Sequence, residues 1–332
     1  MRGNVSLLFL GASVSCFGIF VGGSTAAQDK ATRYVSDDGI PPISAIIGYS
    51  VIGADSAIAI DNTESIFLLE SDRRTKKIGQ NGDGPCEVWD VTSFAVVGDT
   101  IFVLDSSLGR ITGYSISSGD CTAEVVHPEL TAFSAIGKAG GWFYLVRTKY
   151  ISVAPPEEPL LYRFSASGVL ESLDLTIADL ETDLLMVPVR IGRGVRQLRE
   201  KDGAFYFLLP FSHRVWRYDT RTRRVSSISL VNDSPDISQY SNSTDPATIS
   251  RIVPQLEFES NLFLLGDHLA VLSNFERKWK LGLYSYSGDL LVKDAVSDQI
   301  IFEEGSNYYT LIETESETNP YAIRVVDPPT RR

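Results

Sequence analysis

The chain has 332 residues, of which 43% are hydrophobic and 22% are charged, a composition that is ordinary for a globular protein. Its formal net charge of −12 disfavours nucleic acid as a partner, because a phosphate backbone repels an acidic surface. We therefore predict no nucleic-acid partner. The length admits either a doubly wound enzyme or one large all-β domain, so the order of the predicted elements has to decide the fold class.

Residues 1–27 differ from the rest of the chain and predict a secretory signal peptide. Arg2 gives a positive start, Val5–Val21 is apolar without a charge, and small residues lead up to a cleavage site near Ala27. The predicted location is therefore secreted or periplasmic. A lipid anchor on Cys16 is the less favoured alternative, because the residues before it match a lipobox poorly. No later segment is apolar for long enough to cross a bilayer.

Residues 79–127 contain a pattern that the rest of the chain repeats. A glycine-rich loop is followed by four short apolar runs with turns between them: Val91–Val97, Ile101–Leu104, Arg110–Tyr114 and Cys121–His127. Runs of this length, separated by Gly, Asp and Ser, are typical of antiparallel strands joined by tight turns. They predict one four-stranded antiparallel blade.

The same rhythm recurs along the chain in six units. The second runs of the units are centred near an aromatic or small apolar residue, namely Phe67, Phe102, Tyr144, Phe207, Ala270 and Tyr309. One such unit cannot bury both of its faces, so stacking around an axis is expected. We predict an all-β, six-bladed β-propeller over residues 43–328, preceded by a flexible segment at 28–42 and followed by a tail at 329–332.

The chain ends are expected to close the ring. The last unit shows no clear fourth strand, and Ile43–Ile52 is an apolar run without an obvious place. We predict that this run joins the last blade beside Ala322–Val326, because closure removes exposed sheet edges. Deletion of residues 28–42 is then expected to be tolerated. The first blade, with only Arg73–Ile78 after its third run, is expected to lack a full outer hairpin.

The loop Gly79-Gln-Asn-Gly-Asp-Gly-Pro85, followed by a strand pair and then by Asp105 and Arg110-Ile111, carries a family resemblance. It resembles the NHL-type six-bladed β-propellers that bacteria export, in which a similar loop precedes an inner strand. Cys86 stands where the family motif has its last glycine, Glu87 matches, and Val88 replaces a phenylalanine. The resemblance implies the fold alone, since propellers include both binding proteins and enzymes.

Removal of the signal peptide would leave two cysteines, Cys86 and Cys121. An even pair of thiols in an exported chain favours a disulfide. Two separate thiols are the alternative.

Several classes of catalytic site are disfavoured. The glycine-rich loop lacks the Gly-Lys-Ser/Thr of a phosphate-binding loop, and no Gly-x-Ser-x-Gly nucleophile motif occurs. The three histidines, His127, His213 and His268, fall in different blades, whereas a zinc site needs three or four converging ligands. We predict no cofactor and no metal site. A divalent ion held by carboxylates at the channel remains the alternative, as in lactonase-type propellers.

Three long connections in blades three to five predict where recognition occurs: Thr148–Pro159, Ile177–Gly194 and Asn232–Pro254. By the order of the strands they all belong to one face of the propeller, where they would form a rim at the channel mouth. A basic run in this acidic chain belongs to the same region, and its guanidinium groups suit a carboxylate, sulfate or phosphate. The predicted ligand-binding residues are Arg190, Arg193, Arg196, His213 and Arg214.

The sequence therefore favours an exported propeller that binds a protein or a small anionic or polar ligand at the channel mouth over blades three to five. The alternative function is a metal-dependent, lactonase- or lyase-like enzyme that acts on a small polar substrate through channel carboxylates. Solvated arginines paired with acidic side chains are the structural alternative for the basic run.

Overall fold

The computed structural model describes most of the chain from residue 31 to residue 326. The described ranges are 31–32, 46–53, 56–61, 65–70, 76–147, 157–179, 198–209, 212–231, 233, 245–276, 278–296, 300–304, 307–313 and 321–326. Predictions that concern residues 1–27, residues 329–332 and the arginines at 190, 193 and 196 lie outside them.

The strands of the first half form three four-stranded antiparallel sheets, which we call blades 1 to 3. After the short strand β1 (Ala31–Thr32), blade 1 consists of β2 (Ile46–Gly53), β3 (Ser56–Asp61), β4 (Ile66–Glu70) and β5 (Lys76–Ile78). The next loop holds a two-residue parallel pair, β6 (Gln80–Asn81) and β7 (Glu87–Val88). Blade 2 consists of β8 (Val91–Val97), β9 (Thr100–Asp105), β10 (Arg110–Ser115) and β11 (Cys121–Val126). Blade 3 consists of β12 (Phe133–Ala139), β13 (Trp142–Arg147), β14 (Leu161–Ser165) and β15 (Leu170–Ser172).

Three further sheets of the same kind follow. Blade 4 consists of β16 (Arg199–Lys201), β17 (Ala204–Leu208), β18 (Arg214–Asp219) and β19 (Arg224–Ser229). Blade 5 consists of β20 (Phe258–Leu264), β21 (His268–Phe275), β22 (Lys278–Ser285) and β23 (Leu290–Val296). Blade 6 consists of β24 (Ile300–Glu304), β25 (Asn307–Glu313), β26 (Tyr321–Val326) and β1.

The blades form a closed ring. Each first strand contacts the first strand of the next blade, in the order β2, β8, β12, β16, β20 and β24, and β24 contacts β2 again. The first strands therefore surround the central channel, as in a propeller. The predicted all-β, six-bladed architecture of four-stranded antiparallel blades is confirmed.

An N-terminal strand does complete the last blade, as predicted, but it is formed by other residues than those predicted. Ala31 and Thr32 lie opposite Arg324 and Ile323, so the N-terminal strand that completes the last blade is β1. The run predicted for this role, Ile43–Ile52, instead supplies β2, the first strand of blade 1. Only two residues separate β2 from β3, and such a short connection makes an antiparallel hairpin the natural pairing.

Two smaller predictions are also corrected. Blade 1 is complete, because β5 pairs with β4 and provides the fourth strand that was expected to be missing. In blade 5, the sequence predicts two separate runs, Leu256–Phe258 and Leu262–Leu265, but most of these residues belong to one strand, β20. The register of this strand shifts between Glu259 and Asn261, and such a bulge breaks the apolar alternation within a continuous strand.

The hydrophobic core lies between the blades. Between blades 2 and 3, for example, Leu104 and Ile111 pack with Phe133 and Leu145, and all four side chains are buried. Similar clusters join blade 1 to blade 2, blade 3 to blade 4, and blade 4 to blade 5. Blades 2, 3 and 4 therefore depend on both neighbours to bury their two faces.

Helix is rare in the described ranges. The α-helix of these ranges, α1 (Pro246–Ile252), lies in the connection between blades 4 and 5 and continues into a 3-10 turn at Val253–Gln255. None of the described helices has both the length and the apolar content that a membrane span requires.

Candidate functional site

The two faces of the ring differ in the length of their connections. On the hairpin face, the first strand turns into the second through residues such as 98–99, 140–141 and 202–203. On the opposite side, which we call the mouth face, fourth strands lead to the next blade through residues 173–198 and 230–257. The longest connections between strands therefore belong to the mouth face, where binding loops are usual in propellers.

Between blades 1 and 2, the mouth-face connection is the glycine-rich loop at residues 79–90, held mainly by side chains of blade 2. Arg110 donates hydrogen bonds to the carbonyl oxygens of Gly84, at 2.7 Å, and Gly82, at 3.1 Å. The hydroxyl of Tyr114 donates to the carbonyl oxygen of Cys86 at 2.8 Å. The arginine and the tyrosine are nearly inaccessible to solvent, so the loop is anchored by groups that themselves have little freedom.

A covalent bond adds to these contacts. Cys86 and Cys121 form a disulfide, which ties the loop to the start of β11. The backbone N–H of Cys86 also donates to the carboxylate of Glu124 at 2.8 Å, and Glu124 pairs with Arg110 at 3.3 Å. The chain adopts a positive φ of 58° at Cys86, a conformation that costs energy for a residue with a side chain. The surrounding contacts hold it there.

The loop ends at an exposed tryptophan. The backbone N–H groups of Trp89 and Asp90 both donate to one carboxylate oxygen of Asp105, at 2.7 and 3.3 Å. Asp105 is fully buried and also accepts a hydrogen bond from the N–H of Leu108. Trp89 is nevertheless 63% exposed, just before the first strand of blade 2. A large aromatic side chain is thus presented to solvent at the mouth face from a fixed backbone.

A second polar group lies where blade 4 meets blade 5. The Nδ1 atom of His213 contacts the carboxylate of Glu259, which is 3% exposed at the start of the first strand of blade 5. His213 has a φ of 50°, in the left-handed region that disfavours residues other than glycine. This strained turn places the imidazole against the neighbouring blade, so the pair links two blades at the mouth face.

A network of lysines and carboxylates begins two residues before Glu259, at Glu257. Glu257, which is 2% exposed, accepts a hydrogen bond from the hydroxyl of Ser273 and pairs with Lys293 at 2.7 Å. Asp233 pairs with Lys293 at 3.0 Å and with Lys280 at 2.8 Å. Hydrogen bonds from the two lysines, that of Lys280 above all, hold the pKa of Asp233 below its usual range. The carboxylates here are ion-paired, an arrangement that suits a rigid support for the adjacent loops.

Of the five predicted ligand-binding residues, the described chain contains two. His213 lies against Glu259, and Arg214 donates to the hydroxyl of Ser227 at 3.0 Å. The other three, Arg190, Arg193 and Arg196, are outside the described ranges, so their convergence with His213 and Arg214 stays a prediction.

The histidines do not converge in the described part of the chain. His127 accepts a hydrogen bond from the N–H of Glu129 at the start of a short 3-10 helix, and His268 contacts Asp267. Within the same ranges, no group of three or more His, Cys, Asp or Glu side chains is arranged to hold a metal ion.

Sequence reasoning missed Trp89, Glu257 and Glu259 as residues of this face. A signal existed for the two glutamates, because Glu257 and Glu259 interrupt an otherwise apolar run at the start of a predicted blade. Charged side chains in such a run are expected to be buried only with partners. Their partners, 46 residues before and 36 residues after them, could not be paired from one sequence.

Comparison with known proteins agrees with this architecture. Residues 54–233, more than half of the chain, match a protein family described as 6-bladed beta-propeller. The chain belongs to this family. No curated protein matches it at the level of sequence.

Solved structures extend the likeness over most of this 6-bladed beta-propeller. A protein from Bacteroides fragilis that is described as exported aligns with a TM-score of 0.68 at 11% identity, covering 90% of this chain and 95% of its own. The WD40 repeats of RRP9 align with a TM-score of 0.50 at 10% identity, over 89% and 99% of the two chains. YCF48, solved with a bound D1 peptide, aligns with a TM-score of 0.50 at 10% identity, over 88% and 82%. At these identities the likeness shows the fold.

Proposed function

We propose that the protein is an exported propeller which binds a protein or peptide partner on its mouth face. The observation that carries the proposal is the asymmetry of the connections, which are minimal turns on the hairpin face and long segments on the mouth face. Binding residues in propellers are usually placed on such variable connections, because the blades beneath them hold the loops in place. Secretion or a periplasmic location follows from the predicted signal peptide at residues 1–27 and belongs to the same proposal.

Trp89 is the proposed anchor of the interface. Interface energy is concentrated in a few large side chains, and tryptophan is the most enriched among them. The exposed indole would bury a large apolar area on binding, while the disulfide and the Asp105 hydrogen bonds already fix its backbone. A fixed backbone reduces the entropy lost on association, which favours binding.

Two of the similar structures support the choice of partner and place. YCF48 was solved with a peptide bound to it, and the Bacteroides fragilis protein is described as exported. The basic run with Arg190, Arg193 and Arg196 belongs by sequence to the same face and would favour an acidic segment in the partner.

The test is photo-crosslinking in the host that exports the protein. A photoreactive amino acid replaces Trp89 in one variant and Val97 in a second, matched variant. Val97 is 46% exposed and precedes a two-residue turn on the hairpin face. We expect a discrete crosslinked protein from position 89 and none from position 97.

Two results would contradict the proposal. Crosslinking to the same protein from both positions would remove the preference for the mouth face. Crosslinking from position 97 alone would assign the partner to the opposite face. A Trp89→Ala variant, with the reactive group moved to the neighbouring Asp90, is expected to lose most of the crosslinked product.

A further inference from the structure

An arginine-rich turn lies on the hairpin face, away from the proposed binding site. The turn between the third and fourth strands of blade 4 reads Asp219-Thr-Arg-Thr-Arg-Arg224, and Arg221, Arg223 and Arg224 are all exposed. No carboxylate in the described ranges lies within 4 Å of these three guanidinium groups. By contrast, Arg110, Arg214, Lys280 and Lys293 each pair or hydrogen-bond with a side chain of the protein.

The nearest carboxylate in sequence is already occupied. Asp219 accepts hydrogen bonds from the backbone N–H groups of Arg221 and Thr222 and pairs with Arg217 at 2.9 Å. Hydrogen bonds from Thr222, with the Arg217 contact adding to them, lower the pKa of Asp219 to about 2. Asp219 therefore shapes the turn and neutralises Arg217, and the positive charge of the three exposed arginines is left uncompensated.

Exposed aliphatic side chains flank this turn on both neighbouring blades. Val169, at the corresponding turn of blade 3, is 47% exposed. Leu290 and Leu291, directly after the corresponding turn of blade 5, are 39% and 41% exposed. The three turns belong to the outer edge of the same face, since each joins a third strand to a fourth. Around the rim, the apolar turn of blade 3 is thus followed by the basic turn of blade 4 and then by the apolar residues of blade 5.

We infer that this rim, formed by the outer turns of blades 3, 4 and 5, docks on an anionic lipid surface. Basic side chains are attracted to anionic headgroups, and aliphatic side chains gain by entering the headgroup boundary. The rest of the acidic chain is repelled by the same surface, which orients the molecule with this rim towards the lipid. The inference goes beyond the proposed function and uses the opposite face, so the mouth face would point away from the membrane.

A flat lipid surface fits the rim better than an acidic protein does. The aliphatic residues are spread over three separate projections, whereas a protein interface concentrates its apolar contacts in a central cluster. In blades 3 to 5, three aspartates are exposed in the turns of this face, and each contacts a neighbouring side chain. Asp202 is 3.8 Å from Lys201, and Asp289 accepts hydrogen bonds from Ser285 and Ser287. Asp267 contacts His268.

The test is co-sedimentation of the protein, as processed by its exporting host, with lipid vesicles. Vesicles of phosphatidylcholine alone are compared with vesicles that also contain phosphatidylglycerol. We expect binding to the anionic vesicles that weakens as salt is added. The triple variant Arg221→Gln, Arg223→Gln, Arg224→Gln is expected to lose at least about tenfold in partitioning. Val169→Ser, Leu290→Ser, Leu291→Ser should lose severalfold.

Arg251→Gln is the matched control, because Arg251 is an exposed arginine on α1 at the mouth face. It should bind the anionic vesicles like the wild type, and all variants should keep the wild-type melting temperature. Absence of wild-type binding to phosphatidylglycerol vesicles would overturn the inference, as would equal losses in the control and the triple arginine variant. Arginine-dependent binding to soluble heparin without binding to vesicles would overturn it in favour of a polyanionic partner. The crosslinking test at Trp89 is independent of all these outcomes.

Discussion

At the scale of single residues, the loop at 79–90 depends on buried polar groups that each hold the backbone at one point. Arg110 has a carboxylate on either side, with Glu124 at 3.3 Å and Asp105 at 3.9 Å. Such groups are costly to bury alone and stabilise only as a set. Gly79 shows how closely the set is packed, because a Cβ at this position, where φ is 68°, would lie 2.7 Å from the ring of Tyr114. Only glycine fits there.

We predict that Tyr114→Phe lowers stability by about 1 kcal/mol at neutral pH, since it removes the hydrogen bond to the Cys86 carbonyl. The same substitution should also make the free energy of unfolding fall less as the pH rises above 10. Burial raises the pKa of Tyr114 from 10.0 to about 12, so the folded protein favours the neutral phenol. That contribution is complete below pH 10 and disappears as the pH rises through about 12.

The measurement is denaturant unfolding of the wild type and the variant from pH 7 to pH 12. Burial raises the pKa of Tyr284 to about 12 as well, so the alkaline loss should be smaller in Tyr114→Phe than in the wild type and smaller still in the double variant with Tyr284→Phe. An identical alkaline loss in all three proteins would show that these phenols do not control it.

Residue-level prediction from the sequence worked where chemistry is local. Cys86 and Cys121 could be favoured as a bridge from their number and the predicted signal peptide, and the structure contains this disulfide. The contact of His213 with Glu259 had no local signal, because the two residues belong to different blades and meet only once the ring has formed. Nothing in the sequence indicated that Asp105 is buried, because its partners are backbone N–H groups, which almost any residue can supply.

At the scale of elements, blade 2 was predicted almost strand by strand, because its apolar runs alternate and its turns contain Gly, Asp and Ser. The closing strand was missed for a physical reason. β1 has two residues, and a strand this short shows neither periodicity nor β-propensity. The longer run at Ile46–Gly53 has both, but a sequence pattern shows that a strand exists and not which sheet it joins.

The corrected closure reverses the expected effect of a truncation. Deletion of residues 28–32 removes β1 and leaves the edge of β26 without its partner at Ile323 and Arg324. We predict a lower melting temperature and a greater tendency to aggregate, because an open edge can pair with other chains. Deletion of residues 28–30 is the matched control and should behave like the chain that retains residues 28–332. Thermal unfolding and light scattering compare the three, and equal behaviour would show that β1 does not contribute to closure.

At the scale of the whole molecule, the ring separates two surfaces with different chemistry. The mouth face carries the long connections, the exposed Trp89 and the paired charges at the junction of blades 4 and 5. The hairpin face carries short turns, with the unpaired arginines in one of them. A propeller separates two such faces by the height of its strands, so each face can change without disturbing the other.

We predict that metal ions do not contribute to the stability of this ring. Melting temperatures measured with added calcium, with added zinc and with EDTA should agree, because the three histidines belong to different blades and the carboxylates show no spacing typical of a metal site. An ion bound at a hundred times its dissociation constant would add about 2.7 kcal/mol, an effect that is easily measured. A clear rise with calcium or zinc, reversed by EDTA, would contradict the prediction and favour a metal site at the channel.

The pairing of β1 with β26 also has a consequence for the time course of synthesis. A ribosome makes Ala31 and Thr32 early and their partners, Ile323 and Arg324, close to the end of the chain. At about 5–20 residues per second, the first of these segments exists for roughly 15 to 60 seconds before the second is made. Blades 1 to 5 contain all their strands within that interval and can stack in sequence, whereas blade 6 cannot form until translation is nearly complete. Closure of the ring therefore has to wait for the last-made part of the chain, whichever blades have already stacked.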